Sequence, residues 1–308
     1  VRAADQTGWL TDEAPIGRFP HPRATLRPAL VLCDDGVGGR PPKGCPMWLY
    51  DFPMSVGLPL FIVFVVGISC GILLILRKWV FRVAPQGEEW DRVLSYAVGA
   101  YGVFYGVTLA LIAAAAYGNF TEVDGVVLEE SSSLASLYRT ATLLPEPQQS
   151  QLQEQIVQYT RAVIDEDWPQ QRRLQLPSES DANITGIQQA IDAVQPSSAV
   201  EVVYVQEALE QFRQLVHDRR DRIALTHLSL PGVLWIVLSV GAVLNAVLIG
   251  LIEVRNLRIH LLMSGMLALF VALLLYAIAG FDHAYAGPIA VTPEYFQDLL
   301  DGLFRREP

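Results

Sequence analysis

Cysteine is scarce in this 308-residue chain, and so is any arrangement of residues that would hold chemistry. Three cysteines do not build a disulfide framework. Cys70 sits in an apolar run and reads as a small apolar residue. Cys33 and Cys45 have a spacing that fits no metal site, although they can pair. The histidines (His21, His217, His227, His260 and His283) are scattered. No HExxH, calcium loop, P-loop, Gly-x-Ser-x-Gly elbow or dinucleotide fingerprint occurs. No metal, no cofactor and no enzymatic activity is therefore expected. Lysine is missing between Gly118 and Leu230, where 17 Asp and Glu face 8 Arg, a net charge of −9. A segment that acidic excludes nucleic acid, because phosphate contacts need a positive surface.

Charge is also absent from Pro53–Leu76, Val93–Tyr117, Pro231–Ile252 and Leu261–Phe281, runs of 21 to 25 residues without Asp, Glu, Lys, Arg or His. At about 1.5 Å per residue, each is long enough to cross a hydrocarbon core of about 30 Å. The expected fold is an all-α membrane protein with four transmembrane helices. Two hairpins, 47–117 and 231–281, flank a soluble acidic helical bundle, 118–230. A tail, 282–308, carries a short amphipathic helix. Residues 1–46, with Pro, Gly and Arg but no apolar periodicity or signal-peptide core, are expected to be a disordered tail or an upstream extension, with translation starting at Met47.

Small residues recur where helices would approach closely. Gly67 and Gly71 form a GxxxG step, and Gly102, Gly106, Ala110 and Ala114 repeat every four residues. Tyr101, Tyr105 and Thr108 set hydroxyls on another side of that second helix. Hydroxyls in lipid need partners or water, so this line reads either as the wall of a hydrated path or as interhelical hydrogen bonding. Asn245, midway along the third run, reads as helix-packing glue or as an ion ligand. Pro59 suits a first helical turn. The fourth run, rich in Leu and Ala, is expected to be the most lipid-exposed. Without intramembrane charge, a pump, voltage sensor or ion-coupled transporter is disfavoured. Passive permeation is not, since dipoles, hydroxyls and apolar constrictions can suffice. Arg77, Lys78, Arg82, Arg92, Arg255 and Arg258 in the short loops, against Arg213, Arg219, Arg220 and Arg222 opposite, favour short loops in the cytoplasm.

Prolines break the acidic segment into helices. Val123, Val127, Leu134, Leu137, Ala141 and Leu144 share one face. Leu152, Ile156, Tyr159 and Val163 mark a second helix, ending near Trp168-Pro169. Ile184, Ile187, Ile191 and Val194 mark a third. The fourth opens with a capping box, Ser198 to Glu201, and carries Val202, Val205, Leu209, Phe212, Val216 and Ile223. The outer two are expected to continue the second and third runs past the headgroups. Glu129-Glu130, Asp165-Glu166-Asp167 and Arg219-Arg220-Asp221-Arg222 are expected to form a solvated charged face, with a divalent-cation site as the alternative. Near the end, Thr292 can cap, Pro293 sits at N1, and Tyr295, Phe296, Leu299, Leu300, Leu303 and Phe304 form an apolar face.

Three stretches carry a family resemblance: Ala116-Tyr117-Gly118-Asn119-Phe120 through Leu128–Arg139, Tyr159–Pro169 and Phe281–Pro293. With them the chain resembles, over about Met47 to Arg306, the bacterial membrane proteins called DUF4239 or bestrophin-like domain proteins. Ala284-Tyr285 stands where relatives often carry Pro-Phe. The resemblance implies a multi-pass protein of the bacterial inner membrane, contact with the lipid bilayer and self-association. It also implies a comparison with bestrophins, pentameric anion channels of the same layout. Their second span lines the pore and their insert is cytosolic, the reverse of what the loop charges favour. Tyr101, Tyr105 and Thr108 are then the pore-face candidates. The aromatic-rich neck and acidic calcium clasp of bestrophins are missing, so gating by calcium is not implied. The alternative is a non-conducting scaffold or stress sensor whose acidic insert binds a partner protein.

Overall fold

The computed structural model describes residues 54–83, 88–178, 180–252, 254, 256–287 and 289–304. The expectations for residues 1–46, including a Cys33–Cys45 pair, lie outside them. All regular structure among the described residues is helical: α1 (Met54–Val83), α2 (Glu88–Ala141), α3 (Gln148–Ala162), α4 (Trp168–Arg172), α5 (Asp181–Asp192), α6 (Ala199–Ala224), α7 (Gly232–Gly250), α8 (Leu257–Asp282) and α9 (Glu294–Asp298). Four of these, α1, α2, α7 and α8, are long and apolar enough to cross a membrane.

The helix α2 organises the molecule. Its buried residues, Tyr105, Leu109, Ile112, Ala116, Val123, Val127, Leu134, Leu137 and Ala141, recur at intervals of three, four and seven. That spacing keeps one face turned inward along the whole length. The 54 residues make a rod of about 80 Å. Its first half packs in one apolar cluster with α7 and α8, and its second half packs in another with α3, α5 and α6. Broad interfaces join α1 to α8 and α7, and α2 to α6, α8 and α7, so the apolar helices interlock across the sequence.

Expectations need correction on four points. First, α6 does not continue into α7. A short 3-10 turn, Leu225–His227, ends it, and Leu228 is extended. Pro231 then caps α7. A proline lacks the N–H that a through-helix needs and pushes its predecessor out of the helical region. Second, the helix does not end at Trp168-Pro169. A π-turn, Val163–Asp167, links α3 to α4. A π-turn widens the register just where the Pro169 ring would strike a carbonyl one turn back. Third, Pro59 lies inside α1, more than a turn from its start, and Thr292 does not cap α9, because Pro293 itself occupies the N-cap position. Fourth, α8 is the most enclosed apolar helix: 39% of its apolar stretch is buried, against 11% in α1. Ser264, Ala268, Ala272, Ala279 and Gly280 leave room for its neighbours.

Candidate functional site

The apolar half holds the first group of candidate residues. The Tyr101 hydroxyl donates to the Gly241 carbonyl at 2.6 Å, and the Tyr105 hydroxyl donates to the Leu238 carbonyl at 3.0 Å. The two rings stack with centroids 5.7 Å apart. Both acceptors lie on α7, so these hydroxyls hold α2 to α7 and are turned into the subunit. Tyr105 is only 7% exposed. Close approach here requires Gly241, since a Cβ at that position would run into the Tyr105 ring. Thr108 is half-buried and donates to the Phe104 carbonyl of its own helix at 2.9 Å.

Gly102, Gly106, Ala110 and Ala114 are on the exposed side of α2. A Cβ added at Gly67, Gly71, Gly102 or Gly106 would meet nothing within 4 Å. Within one subunit the close contacts fall at other glycines: Gly241 against Tyr105, and Gly250, where an added Cβ would be 3.0 Å from Leu76. Asn245 is half-buried, and its side chain makes no hydrogen bond among the described residues. The buried Tyr276 hydroxyl likewise has no hydrogen-bond partner among the described residues, whereas other polar groups of this half are paired. Ser69 and Ser264 bond across α1 and α8 at 3.2 Å, and His260 Nε2 lies 3.0 Å from the Ile249 carbonyl.

Where the apolar and acidic halves meet, Asp282 bridges them. Its carboxylate accepts the Leu230 amide at 2.6 Å and Trp235 Nε1 at 3.0 Å. This ties the end of α8 to the start of α7.

The acidic half hides a charged knot. Arg222, Glu130 and Asp167 are wholly buried, which overturns the expectation of a solvated face for these three. Arg222 Nε donates to Glu130 Oε2 at 2.6 Å, and Nη2 donates to Asp167 Oδ2 at 3.2 Å. Its third arm reaches Gln171 Oε1. The Tyr159 hydroxyl donates to Glu130. Ser180 Oγ donates to Asp167 at 2.6 Å, and the Tyr285 hydroxyl reaches the Arg222 carbonyl at 3.3 Å. Burial, the largest single influence, would lower the Arg222 pKa, but the charge and hydrogen bond of Glu130 together with Tyr159 and Tyr285 outweigh it and drive it upward. Burial and then Glu130 push Tyr159 well above an ordinary phenol. The knot therefore stays an ion pair with a neutral tyrosine. The guanidinium occupies the place a metal would take between the carboxylates, and among the described residues no cluster of three His, Cys, Asp or Glu could hold one. Helical phase was the missed signal: Glu130 lies on the stripe of Val127 and Leu134, and Arg222 on that of Phe212 and Leu215.

Comparison with known proteins fits this architecture. No curated protein matches the chain. A crystal structure of a bacterial bestrophin homologue from Klebsiella pneumoniae, carrying a point mutation, aligns with a TM-score of 0.56 at 12% identity, covering 80% of this chain and 99% of that one. At that identity the likeness speaks for the fold. The family profile described as the bestrophin-like domain matches residues 63–296, three quarters of the sequence, and the chain belongs to that family.

Proposed function

We propose that this protein is a homo-oligomeric passive ion channel, with four helices crossing the bacterial inner membrane as two hairpins and α2 nearest the axis. The observation that carries this reading is the uncovered face of α2. From Gly102 to Gly118 the small-residue side of α2 is exposed, and a Cβ added at Gly102, Gly106 or Gly118 would meet nothing within 4 Å among the described residues, although this side is built for close approach. Asn245 adds support, because a half-buried amide in lipid needs a partner outside the subunit or water. The stacked tyrosines then act as braces that fix the tilt of α2, and the small-residue face forms the pore-side surface. Anion permeation is proposed on the absence of carboxylates from the four apolar runs. The −9 charge of the acidic half works against it, so a reversal potential measured in a chloride gradient decides between anion and cation.

The test combines imaging of detergent-solubilised protein with planar-bilayer recording. A ring with a central axis and a measurable conductance is expected. Ala110→Leu should change the conductance while shifting the melting free energy by no more than about 0.5 kcal/mol, as for exposed sites. A monomer or dimer, silent in varied salts, would overturn the channel reading and leave the scaffold, with a protein partner at the acidic half.

A further inference from the structure

A cleft of about 760 Å³ lies between α4 and the stretch that follows α8. Its position is fixed by neighbours already described. Gln171, next to Arg172 in the chain, bonds Thr226 at 2.9 Å, five residues before α7 is capped by Pro231. His283, on the opposite wall, is the first residue after α8. The cleft thus sits at the level where the apolar helices begin.

Its chemistry is out of character for this protein. One wall, residues 164–174, belongs to the segment of net charge −9 and the other, 283–297, follows α8; no carboxylate is among the described lining residues, while Arg172, Arg173 and His283 are. Arg172 and Arg173 are exposed and, like Arg139, Arg161 and Arg220, make no ion pair or side-chain hydrogen bond among the described residues, so both guanidinium groups are open to a ligand. The remaining wall includes Ile164, Pro169, Leu174, Ala290 and Pro293. Leu174 holds a left-handed backbone, φ 56°, at the turn after α4, where glycine is the usual choice. That turn keeps an apolar side chain, not a bare glycine, in the wall.

We propose that this cleft binds an acidic amphiphile, with its phosphate or carboxylate head on Arg172 and Arg173 and its apolar body along Pro169, Leu174 and Pro293. Arginine forks match such heads with two parallel hydrogen bonds. The head can belong to a bilayer lipid or to a free amphiphile, because the cleft adjoins the apolar helices. The inference concerns binding and stands whether or not the protein conducts.

Native mass spectrometry of the full chain in detergent tests it, with dioleoyl phosphatidylglycerol, dioleoyl phosphatidylcholine and octyl phosphate as probes. Phosphatidylglycerol is expected to be retained over phosphatidylcholine. Arg172→Ala with Arg173→Ala should weaken retention about tenfold or more, the loss that follows removal of charge-assisted hydrogen bonds. Replacing both by Lys should restore part of it. Gln297→Glu, which adds a carboxylate at the rim without touching α4, should weaken it as well, and Arg213→Ala should not. Retention of octyl phosphate alongside the lipid assigns the site to any amphiphile of this charge, and retention of the lipid alone assigns it to the bilayer. Unchanged retention in both the double Ala variant and Gln297→Glu, or equal retention of the two lipids, would overturn the proposal and leave the arginines as counter-charges to the end of α4.

Discussion

The two halves of this molecule satisfy their polar groups in opposite ways. In the acidic half, Arg222, Glu130, Asp167, Gln171 and Tyr159 close on one another and leave little for an outside partner. In the apolar half, the face of α2 carrying Gly102, Gly106 and Ala110 is exposed, and Asn245 makes no side-chain hydrogen bond among the described residues. The charged knot is satisfied within a single chain, whereas the small-residue face of α2 has no cover among the described residues. Burying charge is costly unless each group is paired, so a knot of this kind specifies its own geometry tightly. An apolar helix in lipid has no such demand and is positioned by shape and a few hydroxyl bonds.

The sharpest way to break this contrast is to open the knot. Arg222→Met leaves Glu130 and Asp167 buried without a counter-charge, and should cost about 3–5 kcal/mol in denaturant or thermal unfolding of the reconstituted protein. Adding Glu130→Gln and Asp167→Asn should recover most of that, since the unpaired charges are then gone. A smaller effect is expected at the α2–α7 seam. Gly241→Ala presses a methyl group into the Tyr105 ring and should cost about 1–3 kcal/mol. Combined with Tyr105→Ala, the two losses should fall short of their sum, and a double-mutant cycle reads that coupling. Smallest is a pH effect where the halves meet. Burial lowers the His283 pKa, with Asp282 opposing and His227 assisting. The unfolded chain therefore takes up this proton first. The stability that neutral His283 contributes is complete above about pH 6.5 and declines as pH falls from there through the lowered folded value. His283→Gln should flatten that part of the melting profile.

Apolar run length and helical phase made the four long helices legible, along with the inward face of the second half of α2 and the core positions of α3 and α5. On α6 the buried residues are Ala208, Phe212, Leu215, Asp218 and Arg222, and of the expected apolar line only Phe212 is among them, with Val202 exposed. Ser198 does cap α6, accepting the Glu201 amide at 3.2 Å, and the Glu201 carboxylate accepts the Ser197 amide at 2.6 Å. What a periodicity cannot reveal is the identity of the neighbour. Tyr101 and Tyr105 stand at a spacing that fits a pore wall or a helix seam equally, and the choice depends on Gly241 some 140 residues away. Glu130, Asp167 and Arg222 were hidden for a related reason. Each looks solvated beside its charged sequence neighbours, and its burial follows from partners on three separate helical segments. The place of α8 was obscured because a uniform Leu and Ala composition serves a helix facing lipid as well as one enclosed by others.

One mechanical consequence follows from the contrast between α2 and the α6–α7 connection. The first is an unbroken strut from the acidic end to the apolar end, and the second is jointed at residues 228–231 beside the Asp282 clamp. A joint absorbs torque and a strut delivers it. Force applied to the acidic end should therefore turn the bare face of α2 about its own axis while α7 lags behind, with the two tyrosine bonds as the coupling that yields first.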